Sequence, residues 1–167
     1  NGYYFFKYCM ENLSDEEKKN IYYVIDKKAP DYEKIKEYDD HIIQFMSLKH
    51  VLYVLAAVLY VASDSRTHLY AWRCKTSLIR SKIDKRPIFF LQHGVTALKQ
   101  VGPLFGRKGS SPMTYFATTS KFEQDIVVKY LDYSEAKSPI TGFTRWDVLE
   151  DTSTKDDKLI LLMPTWR

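Results

Sequence analysis

Four short runs place polar, chemistry-bearing side chains directly after apolar segments. Gln92-His93-Gly94 follows Ile88 to Leu91, and Thr119-Ser120 follows Tyr115 to Thr118. Gly142-Phe143-Thr144-Arg145-Trp146-Asp147 follows Pro139 to Thr141, and Pro164-Thr165-Trp166-Arg167 follows Leu159 to Met163. Imidazole exchanges a proton near neutral pH, so His93 reads as a general base or a phosphate ligand; the alternative is a hydrogen-bonded structural histidine. Gly94 leaves the backbone beside it free to approach a ligand. Ser120 opens a helix, where hydroxyls and free N–H groups bind phosphate; it equally reads as a plain N-cap. Arg145 suits a phosphate, but also a pairing with Asp147 or a helix end. Arg167 carries the same alternatives.

Other chemistries fail on spacing. Gly102 to Pro112 is a flexible basic loop with Arg107 and Lys108, yet it does not match the phosphate-binding G-x-x-x-x-G-K-[ST] pattern. No G-x-G-x-x-G or G-x-S-x-G run occurs. His41, His50, His68 and His93 lie too far apart for metal-ligand spacing, so no metal or cofactor is expected. Cys9 and Cys74 make no disulfide framework and no CxxC, which fits a reducing intracellular compartment. Asn1 to Tyr8 shows no basic leader of the secretory kind. The aromatic residues sit in apolar runs, so a nucleic-acid stacking platform is not indicated.

The elements that must carry these residues alternate between helix and strand. Tyr3 to Glu11 reads as a helix. Ser14 with Glu17 has capping-box spacing, as does Ser120 with Glu123 at the start of a helix reaching Leu131. Pro30 opens a helical stretch to Tyr38, with proline at a first-turn position. Leu48 to Tyr60 reads as a buried apolar helix, the run His50 to Ala62 being shorter than the roughly 20 residues a membrane span requires. Strands are expected at Ile21 to Ile25, His41 to Phe45, Val61 to Ser63, Ile88 to Leu91, Tyr115 to Thr118 and Pro139 to Thr141. A short helix follows at Arg145 to Glu150. Near-continuous apolar strands separated by helices indicate an α/β, Rossmann-like parallel sheet covered on both faces. Residues 1–151 form that domain, 152–158 a polar linker, and 159–167 the first strand of a second domain.

The 167 residues carry a net charge of +4, with 45% hydrophobic and 28% charged side chains, which excludes intrinsic disorder. The charge is unevenly placed. Residues 1–63 sum to −2, residues 64–108 to +8 and residues 109–167 to −2. The basic middle third suits an anionic partner or, more blandly, a solvated basic face.

Taken in order, these runs resemble a known family. Tyr22-Tyr23-Val24-Ile25-Asp26, Pro30-Asp31-Tyr32, Ser47-Leu48-Lys49, Gln92-His93-Gly94 with Leu98-Lys99, Thr118 to Phe122, Gly142 to Leu149 and Pro164 to Arg167 together resemble the CDP-glycerol glycerophosphotransferases, the teichoic-acid primases and polymerases of Gram-positive bacteria. The resemblance implies the N-terminal half of a GT-B-like two-domain fold. It also implies transfer of glycerol phosphate from CDP-glycerol to the terminal hydroxyl of a lipid-linked or polymeric acceptor, at the cytoplasmic face of the plasma membrane and without nucleic acid. By the same resemblance, His93 is the candidate base, and Gly94, Lys99, Ser120, Arg145, Asp147 and Arg167 face substrate or phosphate. Gln92 stands where the family often has Trp, and Trp146 where Asn is common. The chain alone is then expected to be inactive. Two other readings stay open: a Rossmann-like module that binds an anionic polymer or membrane surface without chemistry, and a GT-B nucleotide-sugar glycosyltransferase.

Overall fold

The computed structural model describes residues 1–70, 78–97 and 99–154. The strand expected at Leu159 to Met163, the end of the linker and Arg167 lie outside the described residues. Six α-helices and five strands alternate along the described chain: α1 (Gly2–Asn12), α2 (Asp15–Lys18), β1 (Tyr23–Ile25), β2 (Ile42–Gln44), α3 (Leu48–Ala56), β3 (Tyr60–Ala62), α4 (Leu78–Lys85), β4 (Ile88–Phe90), α5 (Gly102–Phe105), β5 (Tyr115–Phe116) and α6 (Lys121–Leu131). All strand pairing is parallel, which bears out the α/β class. The strands form two sheets rather than one layer: β1 pairs with β2, and β3-β4-β5 lie in that order. A parallel bridge between Thr118 and Ile140 continues the second sheet.

Each sheet has its own apolar core. Phe6, Cys9, Met10, Ile35 and Ile42 pack α1 against the β1-β2 pair. Burial there pushes the Cys9 thiol up, so this cysteine is part of the core rather than a reactive group. The larger core joins Ile88, Phe90 and Phe116 of β4 and β5 to Val54, Ile83, Val127 and Leu131 of the covering helices. Tyr133 closes it with its phenol intact: the hydroxyl accepts from the Met113 N–H at 2.8 Å and donates to the Phe105 carbonyl at 2.7 Å.

Local chemistry explains most boundaries. Ser14 and Glu17 form a complete capping box. Ser47 caps α3 through the His50 N–H. The Pro30 stretch splits into two 3₁₀ turns, Pro30–Lys34 and Lys36–His41, because Ile35 between them leaves helical geometry; Tyr38 kinks the second. Two expectations need correction at α3. The helix ends at Ala56, since Ala57 turns to an extended ψ of 136° and the chain enters β3 three residues later. Nor is it a buried helix: Leu48 is 75% and Leu52 56% exposed, and only His50 and Val54 of α3 are buried. An unbroken apolar run cannot by itself show where a half-exposed helix passes into a strand. Among the described residues no helix is long and apolar enough to cross a membrane.

The basic block is also partly internal. Arg66 is buried, and its guanidinium donates to the carbonyls of Ile83 (3.1 Å), Arg86 (2.7 Å) and Pro112 (3.4 Å). Arg80 pairs with Asp84 at 2.9 Å. Arg66 thereby braces the amino end of β4.

His50 is one of the two buried residues of α3. It is fully buried, it accepts the Met46 N–H at 3.0 Å through Nδ1, and its ring lies against Phe45 and Tyr70. Burial holds its pKa below the ordinary histidine value. The folded state therefore takes up this proton later than the unfolded chain. The stability it brings is present above the unfolded pKa of about 6.5 and falls as pH drops through and below it. The thermal midpoint is expected to decline between pH 7 and pH 5, and His50→Gln, which retains an acceptor, is expected to flatten that decline. Parallel slopes for the two proteins would assign the acid sensitivity elsewhere.

Candidate active site

Parallel strands end on the same side, so the segments leaving β3, β4, β5 and the Ile140 bridge meet at one edge. Ser63, His93, Ser120 and Arg145 all belong to those segments. His93 is exposed there, and its Nδ1 lies 2.9 Å from the Ser63 carbonyl. A carbonyl oxygen only accepts, so Nδ1 carries the hydrogen and the neutral ring presents the Nε2 lone pair. The ring is thus oriented by a backbone contact while staying exposed, and it is not buried in the core.

Ser63 is itself fixed. Its hydroxyl accepts the Gly2 N–H of α1 at 3.0 Å. Asn1, at the same helix end, donates from its amide to the carbonyls of Gln92 (2.7 Å) and Leu91 (3.3 Å), and the Thr144 hydroxyl donates to the Asn1 carbonyl at 2.8 Å. The start of α1 thus links the β3, β4 and Gly142 segments, which sit at least 60 residues away in the chain. Nothing in the local pattern of α1 signals that role.

Arg145 reaches the same place. Its Nη1 donates to the His93 carbonyl at 3.2 Å and its guanidinium stacks 4.6 Å from the Phe143 ring centroid. This contact with the His93 loop is none of the roles read from the sequence for Arg145, which were a phosphate, Asp147 or a helix end. Asp147 lies exposed on the same 3₁₀ turn, Thr144–Val148. Gly142 sets the turn's direction: its φ of +72° is the left-handed region that glycine alone enters cheaply, and Trp146 packs over it. Gly94 differs. A Cβ placed there would meet nothing within 4 Å, so the space beside His93 is open. Gly94 and Lys99 are exposed on the segment that follows β4.

Ser120 is the N-cap of α6, its hydroxyl accepting the Glu123 N–H at 3.3 Å. The reciprocal half of the expected capping box is redirected. Glu123 bonds the Thr119 N–H at 2.7 Å instead of Ser120, and turns inward to the loop that carries His93. Gln92, Thr96 and Thr119 meet that carboxylate, and none of these contacts is visible from spacing along the chain. Among the described residues no group of three His, Cys, Asp or Glu side chains is placed to hold a metal ion.

An exposed, oriented imidazole flanked by an arginine at the carboxyl edge of a parallel sheet suits transfer chemistry on a phosphorylated substrate. The comparisons agree. The family model for CDP-glycerol:poly(glycerophosphate) glycerophosphotransferase matches residues 1–167, and the chain belongs to that family. It is 30% identical to the minor teichoic acid biosynthesis protein GgaB of Bacillus subtilis (strain 168) over the whole chain. The chain spans 18% of the length of that relative. No solved structure matches the chain significantly.

The turn that presents Arg145 depends on one glycine. Gly142→Ala is expected to destabilise the domain by about 1–2 kcal/mol, the usual cost of a side chain in left-handed backbone. A thermal or denaturant midpoint equal to wild type would show that the turn re-forms without it.

Proposed function

We propose that this chain is the acceptor-side part of an enzyme that transfers glycerol phosphate from CDP-glycerol to the terminal hydroxyl of a lipid-linked or polymeric acceptor in cell-surface polymer synthesis. Residues 1–151 would form one Rossmann-like half of a GT-B-like arrangement, 152–158 the linker, and 159–167 the opening of the nucleotide-binding half. The observation that carries the reading is the His93 ring, oriented by the Ser63 carbonyl with Nε2 as its basic atom. Family membership supports the donor.

In this mechanism the His93 Nε2 takes the proton of the acceptor hydroxyl. The oxygen attacks the glycerol-bearing phosphorus, the bond to the cytidylyl phosphate oxygen breaks, and CMP leaves with the negative charge. Such reactions depend mainly on positioning and charge stabilisation. Arg145 lies within reach of the His93 backbone and supplies positive charge at the site. Gly94, Lys99, Ser120, Asp147 and Arg167 complete the set proposed to bind substrate and phosphate. The open space at Gly94 admits an acceptor end.

In the full-length enzyme, His93→Ala is expected to lower turnover by about 10²–10⁴ while leaving the thermal midpoint near wild type. A clearly lowered midpoint with near-normal turnover would make His93 structural. The isolated 167-residue chain is expected to give no turnover with CDP-glycerol and a lipid-linked primer; activity close to that of the full-length enzyme would overturn the division of labour.

The same reading places the protein at the inner membrane surface. The net +8 of residues 64–108 supports attraction to anionic headgroups. Binding to anionic vesicles is expected to weaken steeply between low and physiological salt. Binding indifferent to salt would point to insertion of the exposed α3 leucines instead.

A further inference from the structure

Glu123 is fully buried, yet no cation contacts its carboxylate in the described structure. Every hydrogen bond to it is donated by a neutral group. Oε1 accepts from the Thr96 N–H at 2.5 Å and the Gln92 amide at 3.1 Å; Oε2 accepts from the Thr119 N–H and the Thr119 hydroxyl, both at 2.7 Å. Gln92 and Thr96 are the two ends of the loop that carries His93. They also bond each other, the Thr96 hydroxyl donating to the Gln92 amide oxygen at 3.0 Å. The remaining Gln92 amide hydrogen goes to the Ala117 carbonyl, just past β5. Gln92 adopts a φ of +59°, a left-handed conformation that is costly outside glycine and persists only when its surroundings fix it. That conformation turns the chain at the end of β4 and sends His93 outward, toward Ser63.

We infer that Glu123 is a positioning residue for the transfer reaction: its carboxylate locks both ends of the Gln92–Thr96 loop and so holds the His93 ring against the Ser63 carbonyl. The inference rests on the proposed role of His93. Glu123 itself is buried and touches no substrate. A carboxylate serves here because four donors converge on two oxygens; an amide offers one accepting oxygen and would turn an N–H toward donors at its other end. Displacement of a catalytic group by about 1 Å costs as much as 10²-fold in rate, so a loosened loop acts on turnover.

The test is a double-mutant cycle in the full-length enzyme with CDP-glycerol and a lipid-linked primer. Glu123→Gln is expected to lower kcat about 10- to 100-fold with the KM for CDP-glycerol unchanged. In the His93→Ala background the same substitution is expected to cost nothing further, since it acts through a ring that is gone. Glu123→Asp, one methylene short of both loop ends, is not expected to restore the rate. Thr96→Val removes only the bond to Gln92 and provides a milder second variant, with a loss of a few fold that also vanishes in the His93→Ala background. A Glu123→Gln enzyme with normal kcat, or losses from Glu123 and His93 that simply multiply, would overturn the positioning role. If Glu123→Gln does not fold, Glu123→Asp decides, and its normal turnover overturns the inference. Normal turnover in His93→Ala alone would instead overturn the function proposed above, before Glu123 is touched.

Discussion

Parallel pairing places the carboxyl ends of neighbouring strands side by side, and the site depends on that alignment. β3, β4 and β5 are each only two or three residues long. Their hydrogen bonds nevertheless bring Ser63, His93, Ser120 and, through the Ile140 bridge, Arg145 to a single edge. The connecting helices carry the sequence separation, so residues up to 82 positions apart converge. The fold contributes geometry here; the chemistry comes from the residues that follow each strand.

That edge is held by polar contacts as much as by apolar packing. The loop ends at Gln92 and Thr96, the first residues of α1 and the Gly142 turn all meet through hydrogen bonds to backbone groups or to one carboxylate. Leaving one such buried donor unpaired costs about 1–3 kcal/mol, so the arrangement has few alternatives close in energy. Gln92, Thr96 and Glu123 are buried behind the loop, while its front is open beside Gly94. Rigidity on one side and access on the other is what the proposed acceptor site would require.

Much of this was legible from residue types. Ser14 and Ser120 announced helix starts, and Ile88 to Leu91 announced the central strand, because capping and apolar runs are local signals. The position of His93 after that strand was legible for the same reason. The two-sheet division was not, since strand pairing is non-local. The end of α3 was missed because Ala57 to Leu59 is as apolar as the helix before it. Glu123 was readable only as a cap; its inward turn depends on Gln92 and Thr96, which lie 31 and 27 positions earlier. Arg66 enters the charge sum of the basic block like any other cation, although it is buried and its guanidinium serves three backbone carbonyls.

Arg66 also gives β4 a second anchor. At the amino end of the strand, Arg66 grips the carbonyls of Ile83 and Arg86, and the Thr114 hydroxyl receives the Ile88 N–H. At the carboxyl end, the Glu123 carboxylate holds the loop. The strand between them spans about 10 Å at roughly 3.3 Å per residue. A segment so short and clamped at both ends behaves as a stiff rod: a displacement imposed at one end is delivered to the other instead of being absorbed. Substitutions on the far side of the sheet, remote from any substrate, will therefore register in the aim of the imidazole.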